Sequence, residues 1–423
     1  MQNWSGNYTY RAERMESPRS VEEAAAIVRA EPRVKALGTR HGFTAIADTP
    51  GVQVSTLHLN KVLNIDVARR QVAVEGGVTY GQLNAVLHAA GLSLANLASL
   101  PHVSIAGACA TATHGSGETL GCLSTQVAEM DFITADGTVR TVKRGDADFN
   151  GCVVHLGRLG IVTRLVLDCV PAFEVEQTVF RRVPVAGYLQ NVSEIAASVY
   201  SVSIFTTWQS DTFDQVWLKA VAGRPPFDLA RLGGTPATGP VHPIEDVPGM
   251  PGFTGYDPAA ATEQGGVPGP AYLRLTHFRL EHTPSSGDEI QTEFFVAREH
   301  FAAAVEAVAA LRADIRPVIQ VSEIRLVAAD ELWMSPFYRR PSVGLHFTWR
   351  KDPAAVMAVV AKIEAVLSPF DPRAHWGKVS TIGGSVEKRY PMKSAFDDLV
   401  HRWDPTGKFS PIGENFPDRG SVR

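Results

Sequence analysis

The sequence of 423 residues is poor in cysteine, with only Cys109, Cys122, Cys152 and Cys169. No two of them form a CxxC pair, and no spacing of Cys and His fits a zinc site. Unpaired cysteines are usually small, buried hydrophobic side chains, and they stay reduced inside the cell. We therefore expect four reduced thiols and a cytoplasmic protein.

An excess of one charge and long apolar runs are also missing. The net charge is −4 with both signs interspersed, and no basic block indicates nucleic-acid binding. No apolar run reaches the roughly 18 residues that a membrane-spanning helix needs, and the polar residues 1–6 are unlike a signal peptide. The composition is typical of a soluble globular protein, and the length predicts two domains. We expect a monomer that binds neither nucleic acid nor membrane.

Three common nucleotide and metal motifs are absent as well. The sequence contains no GxGxxG, no GxxxxGK[ST] and no HExxH. A nicotinamide-binding Rossmann fold, a P-loop and a zincin site therefore lack their usual support.

One feature that is present is a glycine loop, residues 38–43, after the short apolar run 34–37 that predicts a buried strand. Gly38 and Gly42 accept positive φ, so main-chain N–H groups can turn towards an anion. Arg40 adds positive charge, and His41 adds a nucleophilic imidazole. Such a loop suits a pyrophosphate, although an ordinary turn with a solvated Arg-His pair is the simpler explanation of these residues alone.

A second unusual feature is the small-residue segment, residues 96–117, in which nearly every side chain is small or hydroxylated. Small residues let the backbone approach a flat or anionic ligand, and Ser99, Ser104, Thr111 and Thr113 offer hydrogen bonds. An alanine-rich helix start without a ligand is the alternative, because small residues also serve helix packing.

Helices and strands interleave as far as Cys169, and strands dominate after Pro171, which predicts an α+β fold. The stretch 223–271 is rich in Gly and Pro with little periodicity, and a loop of this length is usually functional. The predicted helices are 20–31, 80–90, 301–311, 353–367 and 394–401. The predicted strands are 34–37, 52–57, 62–65, 71–75, 130–134, 139–143, 161–169, 173–180, 200–208, 216–220, 290–296, 318–326 and 343–349.

Two of the late strands carry polar groups on one face. Glu323 and Arg325 are two residues apart in one strand, and His346 and Thr348 are two apart in the other. A salt-bridged surface would explain them, since surface ion pairs are common. A polar cavity floor is the alternative, and it would bind several hydroxyl groups at once.

Four stretches together resemble the vanillyl-alcohol-oxidase (PCMH-type) flavoproteins, in the branch of the aldonolactone and alditol oxidases. They are the glycine loop, the small-residue segment from Ala98-Ser99-Leu100-Pro101-His102 to Thr113-His114-Gly115-Ser116-Gly117, the loop His375-Trp376-Gly377-Lys378, and Asp404-Pro405-Thr406-Gly407-Lys408-Phe409. The likeness to alditol (xylitol) oxidases covers essentially the whole chain. It implies a two-domain PCMH-type FAD-binding fold with a central cap domain that contains an antiparallel sheet. The implied boundaries are 1–170 for the N-terminal part of the FAD domain, 171–375 for the cap, and 376–423 for a segment that returns to the FAD domain.

The resemblance also implies FAD as cofactor, covalently attached through His41, which occupies the position of the family's linked histidine. The glycine loop departs from the family where Thr39-Arg40 replaces the common Ser-Gly and Gly42 replaces the usual Ser. The implied FAD contacts besides His41 are Leu37, Gly38, Thr39, Arg40, Gly42, Ser99, Ser104, Gly107, Thr111, Ala112, Thr113, His114, Ile161, Val162, His375 and Lys378. The implied substrate-binding residues are Ser99, Gln291, Glu323, Arg325 and Thr348. The implied catalytic residues are Arg325, His346, Lys378 and Glu323.

The chemistry of alcohol oxidation assigns roles to these groups. Arg325 is permanently charged and can stabilise alkoxide character, and Glu323 can accept hydrogen bonds from hydroxyls. His346 is our candidate proton acceptor, because an imidazole titrates near neutral pH, and Lys378 can assist it.

We therefore expect FAD-dependent oxidation of a primary alcohol of a xylitol-like or sorbitol-like alditol to the aldose, with O₂ reduced to H₂O₂. The alternatives are an aldonolactone oxidase or dehydrogenase acting on an L-gulono-1,4-lactone-like substrate, an oxidase of another sugar alcohol, and a flavin-binding or sugar-binding protein without turnover. The polar strand faces favour a polyhydroxylated substrate over an aromatic one.

Overall fold

The computed structural model describes residues 1–245, 255–282, 287–382 and 386–410. Parts of the 223–271 stretch and of the predicted 376–423 segment therefore lie outside the described residues. Within the described chain, helices and sheets are interleaved along the sequence, and the predicted α+β class is confirmed.

The N-terminal part of the chain forms a parallel sheet and a larger antiparallel sheet. The three-stranded parallel sheet has the order Arg14–Glu16, Val52–Ser55, Val34–Leu37. The five-stranded antiparallel sheet has the order Val62–Asp66, Gln71–Glu75, Ile161–Asp168, Val127–Ile133, Val139–Lys143. A short pair joins Leu92–Ser93 to Val170–Pro171. The accompanying α-helices are Val21–Ala30, Tyr80–Ala89, Ile105–Ala110 and Phe149–Val153.

The later part of the chain builds a nine-stranded antiparallel sheet. Eight strands follow the order Thr235–Pro236, Glu174–Pro184, Thr212–Val221, Ser201–Thr206, Ile319–Val327, Ser342–Arg350, Glu289–Ala297, Arg373–Ala374. The ninth, Gly269–Pro270, pairs with Glu174–Pro184. The α-helices of this part are Val185–Gln190, Val192–Ser198, Tyr272–Leu275, Phe301–Ala309, Arg312–Ile315, Pro353–Leu367, Val386–Arg389 and Lys393–Trp403.

Local signals in the sequence explain several element ends. Ser20 and Asp352 cap the helices that follow them, because their side chains accept hydrogen bonds from main-chain N–H groups of the first turn. Gly91 ends the helix Tyr80–Ala89 with a φ of 76°. The strand predicted at 173–180 extends to Pro184, because its pairing with Thr212–Val221 continues that far. All four cysteines are buried and unpaired, which confirms the predicted thiols.

One large hydrophobic core packs against the five-stranded sheet of the N-terminal part, and a second packs against the nine-stranded sheet. We call these two parts of the molecule the two sheet systems. The C-terminal helix contributes Phe396, Leu399 and Trp403 to the core of the five-stranded sheet, so the chain end returns to the N-terminal part. The helices Phe301–Ala309 and Pro353–Leu367 pack on the nine-stranded sheet in the second core. The boundaries at 171 and 375 remain a prediction, and the membership of the nine-stranded sheet is consistent with them.

The stretch Pro353–Phe370 is the part of the described chain that is long and apolar enough to cross a membrane, with a mean hydropathy of 1.5 over 18 residues. The sequence showed no such run because Lys362 and Glu364 interrupt it. Val356, Val360 and Ile363 are fully buried in the core of the nine-stranded sheet. This packing accounts for the apolar character of the helix.

Candidate active site

A large cavity lies between the two sheet systems. It encloses about 310 Å³ that the centre of a water molecule can reach, whereas one water needs only about 10–15 Å³ measured in this way. The glycine loop and the small-residue segment line one side, and the polar residues of the late strands line the other. The cavity therefore has room for a large ligand that contacts both parts of the chain.

The glycine loop presents main-chain donors, but not through positive φ at its glycines as the sequence predicts: neither Gly38 nor Gly42 has a positive φ, and Arg40 between them has one of 63°. A Cβ on Gly38 would lie 2.5 Å from the hydroxyl oxygen of Ser104, so only glycine allows this close approach. In the described part of the chain, the main-chain N–H groups of Thr39, Arg40, His41 and Gly42 donate to no protein acceptor. Four consecutive free donors at a cavity wall fit the pyrophosphate of FAD.

His41 is held in place from two sides. Its Nδ1 lies 3.0 Å from the Thr39 hydroxyl oxygen, and its ring stacks on Trp4 with 5.2 Å between the centroids. Burial, with a smaller contribution from His102, lowers the pKa of His41 to about 4. The imidazole is therefore neutral and nucleophilic at physiological pH.

The residues that depart from the family pattern are explained locally. Arg40 adopts a φ of 63°, a conformation that the family's usual Gly would take without strain. Its exposed guanidinium contacts the Gln2 carbonyl oxygen at 3.4 Å. A Cβ on Gly42 would meet its nearest neighbour, Ile46, at 3.7 Å, so the family's usual Ser would fit there.

The polar faces of the late strands form the floor of the cavity, and the alternative of a solvated surface is wrong. Glu323, Arg325, His346 and Thr348 have exposed fractions of 5%, 5%, 7% and 5%. All four line the cavity together with Gln291 from the neighbouring strand. Pairing in the sheet places His346 directly opposite Glu323.

Glu293 is the centre of the buried charges, and the sequence analysis missed it. Its Oε1 accepts from Arg325 at 2.7 Å and lies 3.0 Å from His114 Nε2, and its Oε2 accepts from Lys378 at 2.7 Å. Burial alone would raise the pKa of Glu293, but the charges of Arg325 and Lys378 outweigh burial and hold it well below its usual range. A signal existed, because Glu293 is two residues from Gln291 and therefore shares its strand face.

His346 is placed as a neutral acceptor. Neither ring nitrogen has a hydrogen-bond partner in the described chain. Burial and the nearby Lys378 charge lower the pKa of His346 well below its usual value. The expectation that this ring titrates near neutral pH is therefore wrong: the imidazole is neutral at physiological pH and can accept a hydrogen bond from a hydroxyl group, but it is a weaker base than an ordinary histidine.

Lys378 and Arg325 supply positive charge to the same space. Burial lowers the pKa of Lys378, and Glu293 acts in the opposite direction. Burial would also lower the pKa of Arg325, but Glu293 and Glu323 together raise it, so the guanidinium remains charged. A second guanidinium nitrogen of Arg325 lies 3.4 Å from the Ser99 hydroxyl oxygen.

Most of the residues implied by the resemblance lie at the cavity, and two do not. Ala112 and Ile161 are fully buried but do not line it. Ile161 packs instead in a small core with Val28 and Phe409. The implied residues that line the cavity are Leu37, Gly38, Thr39, Arg40, His41, Gly42, Ser99, Ser104, Gly107, Thr111, Thr113, His114, Val162, Gln291, Glu323, Arg325, His346, Thr348, His375 and Lys378.

The 223–271 stretch and the segment after it also reach the cavity. His242, Pro243 and Ile244 line it, followed by His277 and Phe278. His277 Nε2 lies 2.7 Å from Glu323 Oε1. The irregular sequence around these residues gave no pattern from which this contact could be predicted.

Comparisons with known proteins agree with this geometry. Residues 13–143 match a family model described as an FAD binding domain, and residues 288–414 match one described as D-arabinono-1,4-lactone oxidase. The chain is 45% identical to an alditol oxidase of a Streptomyces species over 96% of both chains, and 27% identical to the L-gulonolactone oxidase of Bos taurus over 96% of both. The crystal structure of a cholesterol oxidase from B. sterolicum superposes with a TM-score of 0.75 at 16% identity, over 97% of this chain and 95% of that one. That last likeness concerns the fold alone.

Proposed function

Because this chain belongs to the alditol oxidase family of FAD-dependent oxidases, we propose that it oxidises a primary hydroxyl group of an open-chain polyol such as xylitol or sorbitol. The products are the aldose and H₂O₂. The observation that carries the proposal is the cavity floor of Gln291, Glu323, Arg325, His346 and Thr348 opposite the free N–H groups of the glycine loop. FAD, when bound, supplies the acceptor for the hydride.

The polar floor supports a polyhydroxylated substrate. The Glu323 carboxylate and the Thr348 hydroxyl can accept hydrogen bonds, and the Arg325 guanidinium and the Gln291 amide can donate them. An alcohol that left these buried groups without partners would bind much more weakly, because unpaired buried polar groups are costly. A polyol can satisfy several of them at once.

The proton of the reacting hydroxyl goes, in this proposal, to His346. The imidazole is neutral and has no hydrogen-bond partner among the described residues, so it can take the proton. Burial makes it a weaker base than an ordinary histidine, and the nearby carboxylates of Glu293 and Glu323 act in the opposite direction on its pKa. Arg325 remains charged and stabilises the negative charge that develops on the oxygen. Glu293 keeps both Arg325 and Lys378 in position through bonds of 2.7 Å.

We also propose that His41 carries the flavin covalently, through a bond between a ring nitrogen and the 8α-methyl carbon. The neutral imidazole, its place in the cavity wall and its stacking on Trp4 support this assignment. Acid precipitation of the purified protein should leave the yellow colour in the pellet. His41→Ala should release any bound FAD into the supernatant, and a colourless wild-type pellet would contradict the tether.

The test of the activity is a substrate panel with peroxide detection. We expect xylitol and sorbitol to give H₂O₂ with a kcat/KM well above that for L-gulono-1,4-lactone. The lactone is the second candidate substrate, because the late strands lie in the region that matches the D-arabinono-1,4-lactone oxidase model. Turnover of the lactone with an artificial electron acceptor, without peroxide from polyols, would replace the polyol oxidase by a lactone dehydrogenase.

A further inference from the structure

A buried network of polar side chains extends from Glu323 through His277, which also lines the cavity, to Lys219, which does not. Its members are His277, in the segment after the helix Tyr272–Leu275, and Lys219, on the strand Thr212–Val221. Lys219 is fully buried, and His277 has an exposed fraction of 5%. A lysine without any solvent contact is rare and needs acceptors for all of its hydrogens.

The ammonium group of Lys219 has three acceptors for its three hydrogens. They are the carbonyl oxygens of Leu275 at 2.8 Å and Thr276 at 3.2 Å, and His277 Nδ1 at 3.0 Å. An ammonium group donates only, so His277 Nδ1 must accept. Burial lowers the pKa of Lys219 to about 7, with Glu323 acting in the opposite direction, so the ammonium form dominates below that pH.

The contact with Lys219 fixes the tautomer of His277. With Nδ1 as acceptor, the proton of the neutral ring is on Nε2, which then donates to Glu323 Oε1 at 2.7 Å. The same nitrogen lies 3.3 Å from the Ser203 hydroxyl oxygen. Oε1 of the Glu323 carboxylate is thus held by His277, while Oε2 lies 3.6 Å from Arg325 Nε.

The main chain of His277 connects the network Glu323–His277–Lys219 to Ser99, a second substrate-binding candidate. Its N–H donates to the carbonyl oxygen of Ser99 at 3.0 Å. The Ser99 hydroxyl oxygen in turn lies 3.4 Å from Arg325. His277 therefore contacts both Ser99 and Glu323, which lie far apart in the sequence.

We propose that Lys219 and His277 are positioning residues that hold Glu323 as a hydroxyl acceptor and so set the affinity for the polyol. The inference rests on the proposed polyol oxidation. Lys219 does not line the cavity in the described structure, and the side chain through which it reaches Glu323 is that of His277. Its removal should weaken substrate binding and leave the chemical step at Arg325 and His346 largely intact.

The variants Lys219→Met and His277→Leu remove, respectively, the far end and the middle member of the network Glu323–His277–Lys219. Each is assayed as flavin-loaded holoenzyme at pH 6 with xylitol. Loss of a hydrogen bond to a charged group corresponds to about a 10-fold to 100-fold change in binding. We expect KM to rise by about that factor, with kcat within about threefold of wild type, the pattern of lost ground-state binding. His277→Gln retains an N–H donor that can reach Glu323 and should recover most of the affinity.

Gln177→Leu is the matched control. Gln177 is buried directly opposite Lys219 on the neighbouring strand, and its amide binds the main chain at Thr262 and Glu263. The Thr262 N–H donates to the His277 carbonyl oxygen at 2.9 Å, so this variant disturbs the main chain beside His277 but leaves the side-chain contacts from Lys219 to Glu323 in place. We expect it to lower the melting temperature and to leave the KM for xylitol unchanged.

The outcomes separate the possible roles. If Lys219→Met and His277→Leu bind flavin normally and show the wild-type KM, the inference is wrong. An equal rise of KM in Gln177→Leu, or no recovery of affinity in His277→Gln, would also overturn the inference. Either result would mean that Lys219 and His277 stabilise the fold and do not position Glu323. If one of the two test variants does not fold, the other and the His277→Gln comparison still decide. A wild-type enzyme that fails to oxidise xylitol would refute the proposed function instead.

Discussion

Glu293 shows how one buried side chain can organise the charged groups of the cavity. It is fully buried, and it binds Arg325, Lys378 and His114 simultaneously. Removal of one partner from such a buried network leaves uncompensated charges, which costs about 3–5 kcal/mol. The positions of Arg325 and Lys378 therefore depend on Glu293 as well as on the strand of Arg325 and the loop of Lys378.

The role of His346 is tested at the scale of one residue. His346→Ala should slow anaerobic reduction of the flavin by xylitol by about 10²-fold to 10⁴-fold, the range for loss of a general base. Because the pKa of His346 lies well below its usual value, the wild-type rate should not fall through protonation of this ring between pH 8 and pH 6. Stopped-flow absorbance measures both quantities. A near wild-type rate in the variant would exclude His346 as the base.

Arg40 provides a second prediction at this scale. A non-glycine residue at a φ of 63° is strained by about 1–2 kcal/mol. The Arg40 guanidinium offsets little of this strain, because its contact with the Gln2 carbonyl oxygen is long, at 3.4 Å. Arg40→Gly should raise the free energy of unfolding by about 0.5–1 kcal/mol after the larger entropy loss of glycine is subtracted. Urea denaturation of the holoenzyme measures the change. Arg40→Ala removes the same side chain but keeps the strain, so it should show no such gain.

At the scale of elements, the register of three adjacent strands assembles the cavity floor. Glu293 and Glu323 each lie directly opposite His346 in their pairings, and Gln291 lies opposite Thr348. A shift of one residue in any strand would turn its polar set to the other face. The floor is thus a consequence of sheet register rather than of loop conformation.

Gly344 is the point at which this register leaves room for the buried ion pair. It lies opposite Arg325, and a Cβ added there would meet the Phe295 ring at 3.0 Å and Glu293 Oε1 at 3.2 Å. Gly344→Ala should therefore displace Glu293 by a few tenths of an ångström and lower kcat/KM for xylitol by about tenfold, since misplacement of about 1 Å costs about 100-fold. Steady-state kinetics with flavin content as control measures it. Unchanged kinetics would contradict this prediction and would mean that the Phe295 ring moves while Glu293 keeps its position.

The sequence predicted elements well where the signal was local. Alternation placed Glu323 with Arg325 and His346 with Thr348, and capping residues located helix starts. Lys219 was missed because a lysine in an alternating strand normally indicates a solvent face, and only distant carbonyl groups make its burial tolerable. The resemblance gave most of the cavity wall, but which residues pair across it depends on contacts far apart in sequence.

At the scale of the whole molecule, main-chain contacts join the glycine loop to the loop that carries Lys378, far away in the sequence. The Phe43 N–H donates to the Gly377 carbonyl at 2.7 Å, and the Thr44 hydroxyl donates to the Trp376 carbonyl at 3.3 Å. The glycine loop and the Lys378 loop are therefore connected by hydrogen bonds. Any movement of one loop changes the position of the other.

Lys35 fastens the C-terminal segment to the first parallel sheet, and it yields a pH prediction. Its ammonium group donates to the carbonyl oxygens of Gly157 at 3.0 Å and Phe409 at 2.8 Å. Burial, aided by the Arg158 charge, lowers the pKa of Lys35 to about 7, whereas an unfolded lysine keeps its proton up to about pH 10. Between these values the unfolded state binds more protons, so this group makes the fold more stable as pH rises.

Comparison of wild type with Lys35→Met isolates the contribution of Lys35. The free energy of unfolding of the wild type minus that of Lys35→Met should rise by up to about 1.4 kcal/mol per pH unit between pH 7 and pH 9. Urea denaturation of both holoenzymes at several pH values measures the difference. A difference that stays constant or shrinks across this range would mean that Lys35 does not lose its proton near pH 7 in the folded protein.

The proposed polyol oxidation requires electron transfer from the polyol to a flavin in this cavity. The direct measurement is anaerobic titration of the purified protein with xylitol, followed by readmission of O₂. We predict loss of the oxidised flavin absorbance with one equivalent of xylitol per flavin, and its return with one equivalent of H₂O₂. Oxidised flavin that persists in excess xylitol and sorbitol, in a protein with a full complement of FAD, would contradict the account.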